Sequence, residues 1–200
     1  MSAPGFACFD VETTGLDPGL ARVIEVAVVR ISPTGEVVGE WTTLVDAGIR
    51  EFGASQRIHG IQPEWLDSAP TFTEIAGDLA AELSDYVPVA HNALFDIHFL
   101  ESEWKRMGIG AMGLKAIDTL EVAREHGLPG RLGLLAKALE VPLDDAHQAL
   151  DDSMALAGVM TAFLEKEFEL PRVEPFPRVF LPAPTGRSEC RPRRHRGPVG

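Results

Sequence analysis

From Phe6 the chain runs Phe-Ala-Cys-Phe-Asp-Val-Glu-Thr-Thr-Gly. Side chains alternate between the two faces of a strand, so Phe6, Cys8, Asp10 and Glu12 share one face while Ala7, Phe9 and Val11 share the other. Both faces are apolar until the two acids, which is the pattern of a central strand covered on both sides. A turn at Leu16-Asp17-Pro18-Gly19 leads to residues 22–31, rich in Val and Ile, and a turn at Ser32-Pro33-Thr34-Gly35 leads to residues 37–45. These segments predict a three-stranded antiparallel meander with the first strand against the second.

Residues 46–71 form a long connection in which Pro63 and Pro70 limit any helix. Phe72, Ile75, Ala76, Leu79, Ala80 and Leu83 recur at helical spacing and predict a helix to about residue 85 that packs on the sheet. Tyr86-Val87-Pro88-Val89-Ala90 reads as a short buried strand, His91 and Asn92 follow, and a helix carrying Phe95, Phe99, Leu100 and Trp104 runs over about 93–107. Residues 115–119 predict a short fifth strand with a weak apolar core. Helical segments follow at 120–125, 132–139 and about 148–167, the last with Leu150, Met154, Leu156, Ala157, Met160 and Leu164 on its apolar side.

Composition places this pattern in one domain. With 200 residues, 45% of them hydrophobic, the chain can bury a substantial core. Its net charge of −12 argues against broad, non-specific binding along duplex DNA, which relies on many basic contacts to phosphates, and leaves room for a small site gripping one chain end. The charge is uneven. Residues 1–170 hold 11 Lys plus Arg against 28 Asp plus Glu, giving −17, whereas residues 171–200 hold 7 against 2, giving +5. The latter segment also holds seven of the fifteen prolines, so the expected organisation is a domain over 1–170 and a disordered or extended tail over 171–200. Such a basic tail reads as a solvated end or as an anchor for nucleic acid or a partner protein. Two cysteines, Cys8 and Cys190, suggest neither a disulfide framework nor a zinc site. With no export signal and no apolar run long enough for a membrane span, a soluble, cytoplasmic protein without membrane contact is expected.

The acids change the picture from fold to chemistry. Asp10 and Glu12 end a buried strand with no Lys or Arg within nine residues in either direction. Carboxylates are costly there unless they hold a cation or one stays protonated. Asp96 stands on the helix after the fourth strand and Asp152 in the last helix. In an open α/β sheet the functional crevice lies outside the carboxyl ends of the strands, where Asp10, Glu12 and Asp96 fall. His147 and Asp152 are five residues apart, about 140° around a continuous helix, so they converge only if His147 precedes the helix. Four carboxylates balance two divalent cations, and an all-oxygen donor set favours Mg²⁺ or Mn²⁺ over zinc. Two such ions stabilise the entering and leaving oxygens of an in-line substitution at phosphorus, so the reaction class is phosphodiester hydrolysis.

Asp10-x-Glu12, His91-Asn92-x-x-Phe95-Asp96 and His147-x-x-x-x-Asp152, in this order, resemble the three motifs of the DEDDh 3′-to-5′ exonucleases. That family includes the epsilon proofreading subunit of bacterial DNA polymerase III and ribonuclease T. The resemblance covers residues 6 to about 165. It implies a ribonuclease H-like α/β fold, with a mixed five-stranded sheet in the order 3-2-1-4-5 flanked by helices. It also implies that Asp10 touches both metals, that Glu12 and Asp152 hold the ion that activates water, that Asp96 supports the second ion, and that His147 is the general base. Thr13 would lie near the 3′ hydroxyl and Leu16 against the terminal base, and the His59 loop resembles the segment lining the same pocket, with His59 read equally as pocket lining and as turn packing beside Gly60. Asn92 is read equally as a site residue and as a cap of the following helix, and His91 as a cap. Asp118 resembles a family segment but receives no chemistry. Asp151 is read as a favourable acid near a helix N-terminus, and Trp41, Trp65 and Trp104 as packing.

The expected activity is therefore 3′-to-5′ exonuclease action on single-stranded or frayed ends, releasing nucleoside 5′-monophosphates, with DNA the favoured substrate. RNA trimming is the alternative. A non-cutting module that binds a 3′ end or a polymerase is the rival from another class. Attachment to a DNA polymerase for proofreading and free-standing trimming or repair both stay open.

Overall fold

Strand β1 (Phe6–Thr13) divides its side chains between two cores as its alternation predicts. Ala7, Phe9 and Val11 enter one apolar cluster and Cys8 the other. In the computed structural model, which describes residues 4–143, 148–181 and 190–192, β1 pairs antiparallel with β2 (Val23–Ile31), and β2 with β3 (Val37–Leu44). On its other side β1 runs parallel to β4 (Val87–Ala90), which pairs in parallel with the two-residue β5 (Ile117–Asp118). The order is β3-β2-β1-β4-β5, the mixed sheet expected. The β2–β3 turn closes through a hydrogen bond from the Gly35 N–H to the Ser32 carbonyl, with Gly35 at φ +90°, a conformation that side chains with a Cβ rarely adopt.

Helices cover both faces. On one lie α2 (Phe72–Leu83) and α3 (Leu94–Arg106), whose Ile75, Leu79, Phe99, Leu100 and Trp104 pack with Phe9, Val26 and Val28. Helix α2 starts in a capping box, Thr71 and Glu74 each satisfying the other's backbone amide. On the opposite face α6 (Ala149–Glu165) lays Leu156, Met160 and Phe163 against Cys8, Val29 and Ile31. The short helices α4 (Thr119–Glu125) and α5 (Leu132–Ala138) extend that layer. The long connection after β3 contains a helical turn, α1 (Gln56–His59), and a 3₁₀ turn at Pro63–Leu66, seated on their own cluster of Ile24, Leu44, Phe52, Ile61 and Leu66.

Residues 171–181 lie against the domain. Phe176 is buried, stacks on Trp104 and exchanges backbone hydrogen bonds with Tyr86 and Asp85 just before β4. Val179 and Leu181 pack on the same core. The composition of this segment favours extended chain, and the chain is extended. One aromatic with a slot to fill, a burial worth about 1.5–3 kcal/mol, is enough to hold it against the domain beyond residue 170. Among the described residues no helix is long and apolar enough to cross a membrane.

Candidate active site

The acids gather where β4 stops accompanying β1. Along β1, strand β4 pairs with Phe6, Ala7 and Cys8 and goes no further. Beyond that point the Val11 N–H donates to Asp96 Oδ1 at 3.1 Å. Asp96 lies in the first turn of α3 and is 3% exposed, so helix and strand are joined at the carboxylate. From the opposite layer the first turn of α6 delivers Asp152. One oxygen each from Asp10, Glu12 and Asp152 lie within 4.8 Å of one another. Helix α6 begins at Ala149 after Gln148, which leaves residue 147 ahead of it in the sequence. His147 itself lies outside the described residues.

Crowding of like charge dominates the electrostatics. Burial, and then repulsion from Asp96, Glu12, Asp152 and Glu25, pushes the Asp10 carboxyl well above the ordinary carboxylate range. Burial also pushes Asp96 up to about 8, with Asp118 adding repulsion, against the opposing effect of the Val11 N–H. Carboxylates held this close need protons or cations. The donor set is all oxygen and drawn from a rigid strand and two helices, which suits a hard divalent ion such as Mg²⁺ or Mn²⁺.

The turn between β4 and α3 is held by Asp118, which has no assigned chemistry in the sequence pattern. Asn92 sits at φ +62°, in the left-handed region. The Asn92 N–H donates to Asp118 Oδ1 at 2.9 Å and the Ala93 N–H to Asp118 Oδ2 at 3.0 Å, while Oδ1 also accepts the Leu120 N–H at the start of α4. Neither His91 nor Asn92 caps α3, whose N-cap residue is Ala93. The Asn92 side chain is exposed, and His91 is fixed between the Thr119 hydroxyl and the Gly130 carbonyl, where burial lowers its pKa. Asp118 thus pins the backbone one turn before Asp96. Asp118→Ala is expected to slow nucleic-acid cleavage roughly 10- to 100-fold, the range for groups that orient metal ligands, and to cost about 1 kcal/mol through the lost α4 cap. Initial rates and a thermal melt on the same preparation check both.

The positions expected to seat a terminal nucleotide are mixed. Leu16 is 82% exposed on the loop leaving β1, as an apolar contact for a base requires. Thr13 is buried and its hydroxyl donates to the Gly15 carbonyl at 2.7 Å, so it shapes the turn. His59 is also buried, its Nδ1 accepting the Ile61 N–H and its ring edge-on to Phe52, which matches turn packing beside Gly60. The loop carrying Leu16 is fastened to α3. Arg22 grips the buried Glu103 carboxylate through Nε and Nη2 at 2.7 and 2.9 Å, Arg106 donates to Glu103 at 3.3 Å, and Arg106 also donates to the Pro18 and Ala21 carbonyls.

A mixed sheet in this order, with acids from β1, α3 and α6 converging at the end of its central strand, defines a ribonuclease H-like nuclease architecture. The chain belongs to the RNase T exonuclease family, which it matches over residues 7–160. It is 33% identical over 165 residues to a DNA polymerase III PolC-type of Staphylococcus saprophyticus, covering 80% of this chain and 11% of that protein. It is 30% identical over 174 residues to the 3′-5′ exonuclease DinG of Staphylococcus haemolyticus, covering 86% of this chain and 19% of that protein. The chain therefore spans a small part of the relatives it matches. Among solved structures, the nuclease domain of 3′hExo, a DEDDh family member bound to rAMP, superposes with a TM-score of 0.71 at 19% identity, covering 84% of this chain and 96% of that one. Exonuclease X in complex with 5′ overhanging duplex DNA gives 0.66 at 22% identity, covering 82% and 94%. These two likenesses establish the fold.

Proposed function

We propose that this chain is a metal-dependent 3′-to-5′ exonuclease that hydrolyses the terminal phosphodiester bond of single-stranded or frayed ends, DNA in preference to RNA, and releases nucleoside 5′-monophosphates. The observation that carries this reading is the cluster of Asp10, Glu12 and Asp152 oxygens within 4.8 Å at the end of β1, with Asp96 fixed beside it through Val11. The preference for DNA is supported by the polymerase III relative.

Asp10, Glu12, Asp96 and Asp152 are the residues that would hold two divalent cations, Mg²⁺ or Mn²⁺. When bound, these supply the positive charge that stabilises the entering and leaving oxygens at phosphorus. The protein's own groups do the rest. His147, in the role the family motif gives it, takes the proton from the attacking water. An imidazole with an unperturbed pKa of about 6.5 is largely neutral near pH 7 and free to do so. The exposed Leu16 offers an apolar surface to the terminal base. Stacking there requires that base to be unpaired, which is why a frayed or single-stranded end is the substrate.

The test uses 3′-recessed, single-stranded and mismatched-end DNA labelled at the 5′ end, with single-stranded RNA in parallel, in Mg²⁺ or Mn²⁺. Stepwise shortening of DNA with mononucleotide release is expected, faster on single-stranded and mismatched ends than on paired ones. Shortening of RNA faster than DNA would move the assignment to RNA trimming. No shortening of either, with end-binding retained, would replace the enzyme by a binding module.

A further inference from the structure

Strand β2 reads Val-Ile-Glu-Val-Ala-Val-Val-Arg-Ile, and the one acid in it, Glu25, is 1% exposed. Strand packing does not ask for it, since an apolar residue fits a buried strand position and a buried carboxylate is costly unless hydrogen-bonded. Glu25 Oε2 accepts the N–H of Ala149 at 3.3 Å, across 124 residues of sequence. Ala149 is the first residue of α6, so its amide is one of those the helix cannot satisfy internally. The N-cap residue, Gln148, makes no side-chain capping bond to the helix. Glu25 supplies from another strand what a capping side chain supplies locally, and places negative charge at the helix's positive end.

The location of that bond matters more than its existence. In the β1–β2 register Glu25 is the partner of Glu12, and Ala27 is the partner of Asp10. The Ala27 carbonyl accepts the hydroxyl of Ser153, fully buried, at 3.4 Å. Ala149 and Ser153 are one helical turn apart on the same side of α6. The helix is thus fastened at two points to the β2 residues that lie directly opposite Glu12 and Asp10, and Asp152 is carried between the two fastenings.

We propose that Glu25 is a positioning residue: its carboxylate anchors the first turn of α6 on β2 and thereby sets where Asp152 meets Asp10 and Glu12. The role in catalysis rests on the exonuclease reading above, whereas the role in shaping the cation site does not. What matters in this account is the reach of the Glu25 oxygen to the Ala149 amide.

Two conservative variants separate reach from charge. Glu25→Asp keeps the charge and withdraws the oxygen by one methylene. Glu25→Gln keeps the reach and one acceptor oxygen. Mn²⁺ binding is measured by calorimetry on the 200-residue chain of each variant, and amide exchange at Ala149 by NMR. Glu25→Asp is expected to weaken Mn²⁺ binding roughly tenfold, in the range for groups that orient ligands, and to speed exchange at Ala149. Glu25→Gln is expected to recover most of the affinity. In an Asp152→Asn background Glu25→Asp should produce little further loss, because it acts through Asp152. The reverse ranking of the two variants would overturn the proposal by showing that charge, not reach, is what the site uses. An equal loss with and without Asp152→Asn would overturn it by showing general loosening. Initial cleavage rates follow the Mn²⁺ ranking if the exonuclease reading holds. Absence of cleavage by the wild-type chain sinks that reading alone and leaves the binding and exchange outcomes decisive for Glu25.

Discussion

Asp10→Asn is expected to abolish cleavage of labelled single-stranded DNA and, at the same time, to raise the melting temperature of the metal-free protein. The first effect follows from the position of Asp10 among Glu12, Asp152 and Asp96. A metal centre contributes several kcal/mol of stabilisation to developing charge, so its loss corresponds to a rate decrease on the order of 10³-fold or more. The second effect has the opposite sign because function and stability want different things at this spot. Burial and four neighbouring carboxylates disfavour a charged Asp10, and a neutral amide of the same size removes that repulsion. Differential scanning fluorimetry in EDTA and gel-resolved cleavage in Mn²⁺ read the two effects. Residual cleavage near the wild-type rate, or a lower melting temperature with EDTA, would contradict the placement of Asp10 in a crowded cation site.

The second large effect is a dependence of stability on pH that a divalent cation should suppress. Asp96 is pushed up to about 8 and Asp10 well above its ordinary value, whereas in the unfolded chain both titrate near the ordinary value of about 4. Between those limits the native protein keeps protons that the unfolded chain has released. Stability therefore falls as pH rises from about 4 through about 8, the reverse of what paired surface carboxylates do. The loss across the window is on the order of a few kcal/mol, several degrees in a chain of this size. Cation binding displaces those same protons, so Mn²⁺ should raise the melting temperature more at pH 8.5 than at pH 5.5. A melting temperature in EDTA that is flat or rising over this range would sink the prediction. So would an equal Mn²⁺ increment at both pH values.

Local alternation and helical spacing carried most of the fold. Phe6 to Val11 already separated the two cores, and the apolar positions of α2, α3 and α6 marked which sides face the sheet. The acids were legible because charge at the end of a buried strand is chemically expensive, and because two further acids stand at the starts of later helices. What escaped were side chains that act across strand register or on distant backbone. Asp118 reaches the amides of Asn92 and Ala93 from β5, and Glu25 reaches that of Ala149 from β2. Neither acid's reach has a periodicity to announce it, although an acid inside the otherwise apolar run of β2 is a visible anomaly. Asn92 resembles a helix cap by sequence, and its left-handed backbone shows that the chain uses it to reverse direction. Phe176 was hidden by its proline-rich surroundings, since composition describes a segment's freedom and says nothing of a slot waiting beside Trp104.

Glu103 connects two parts of the molecule that sequence distance keeps apart. It binds Arg22 at the root of the loop carrying Leu16, shares Arg106 with the Pro18 and Ala21 carbonyls of that loop, and sits on α3 seven residues, about two turns, beyond Asp96. A buried carboxylate gripped by two arginines is costly to release, because losing both would strand its charge. The loop carrying Leu16 and the helix that presents Asp96 consequently share one buried anchor.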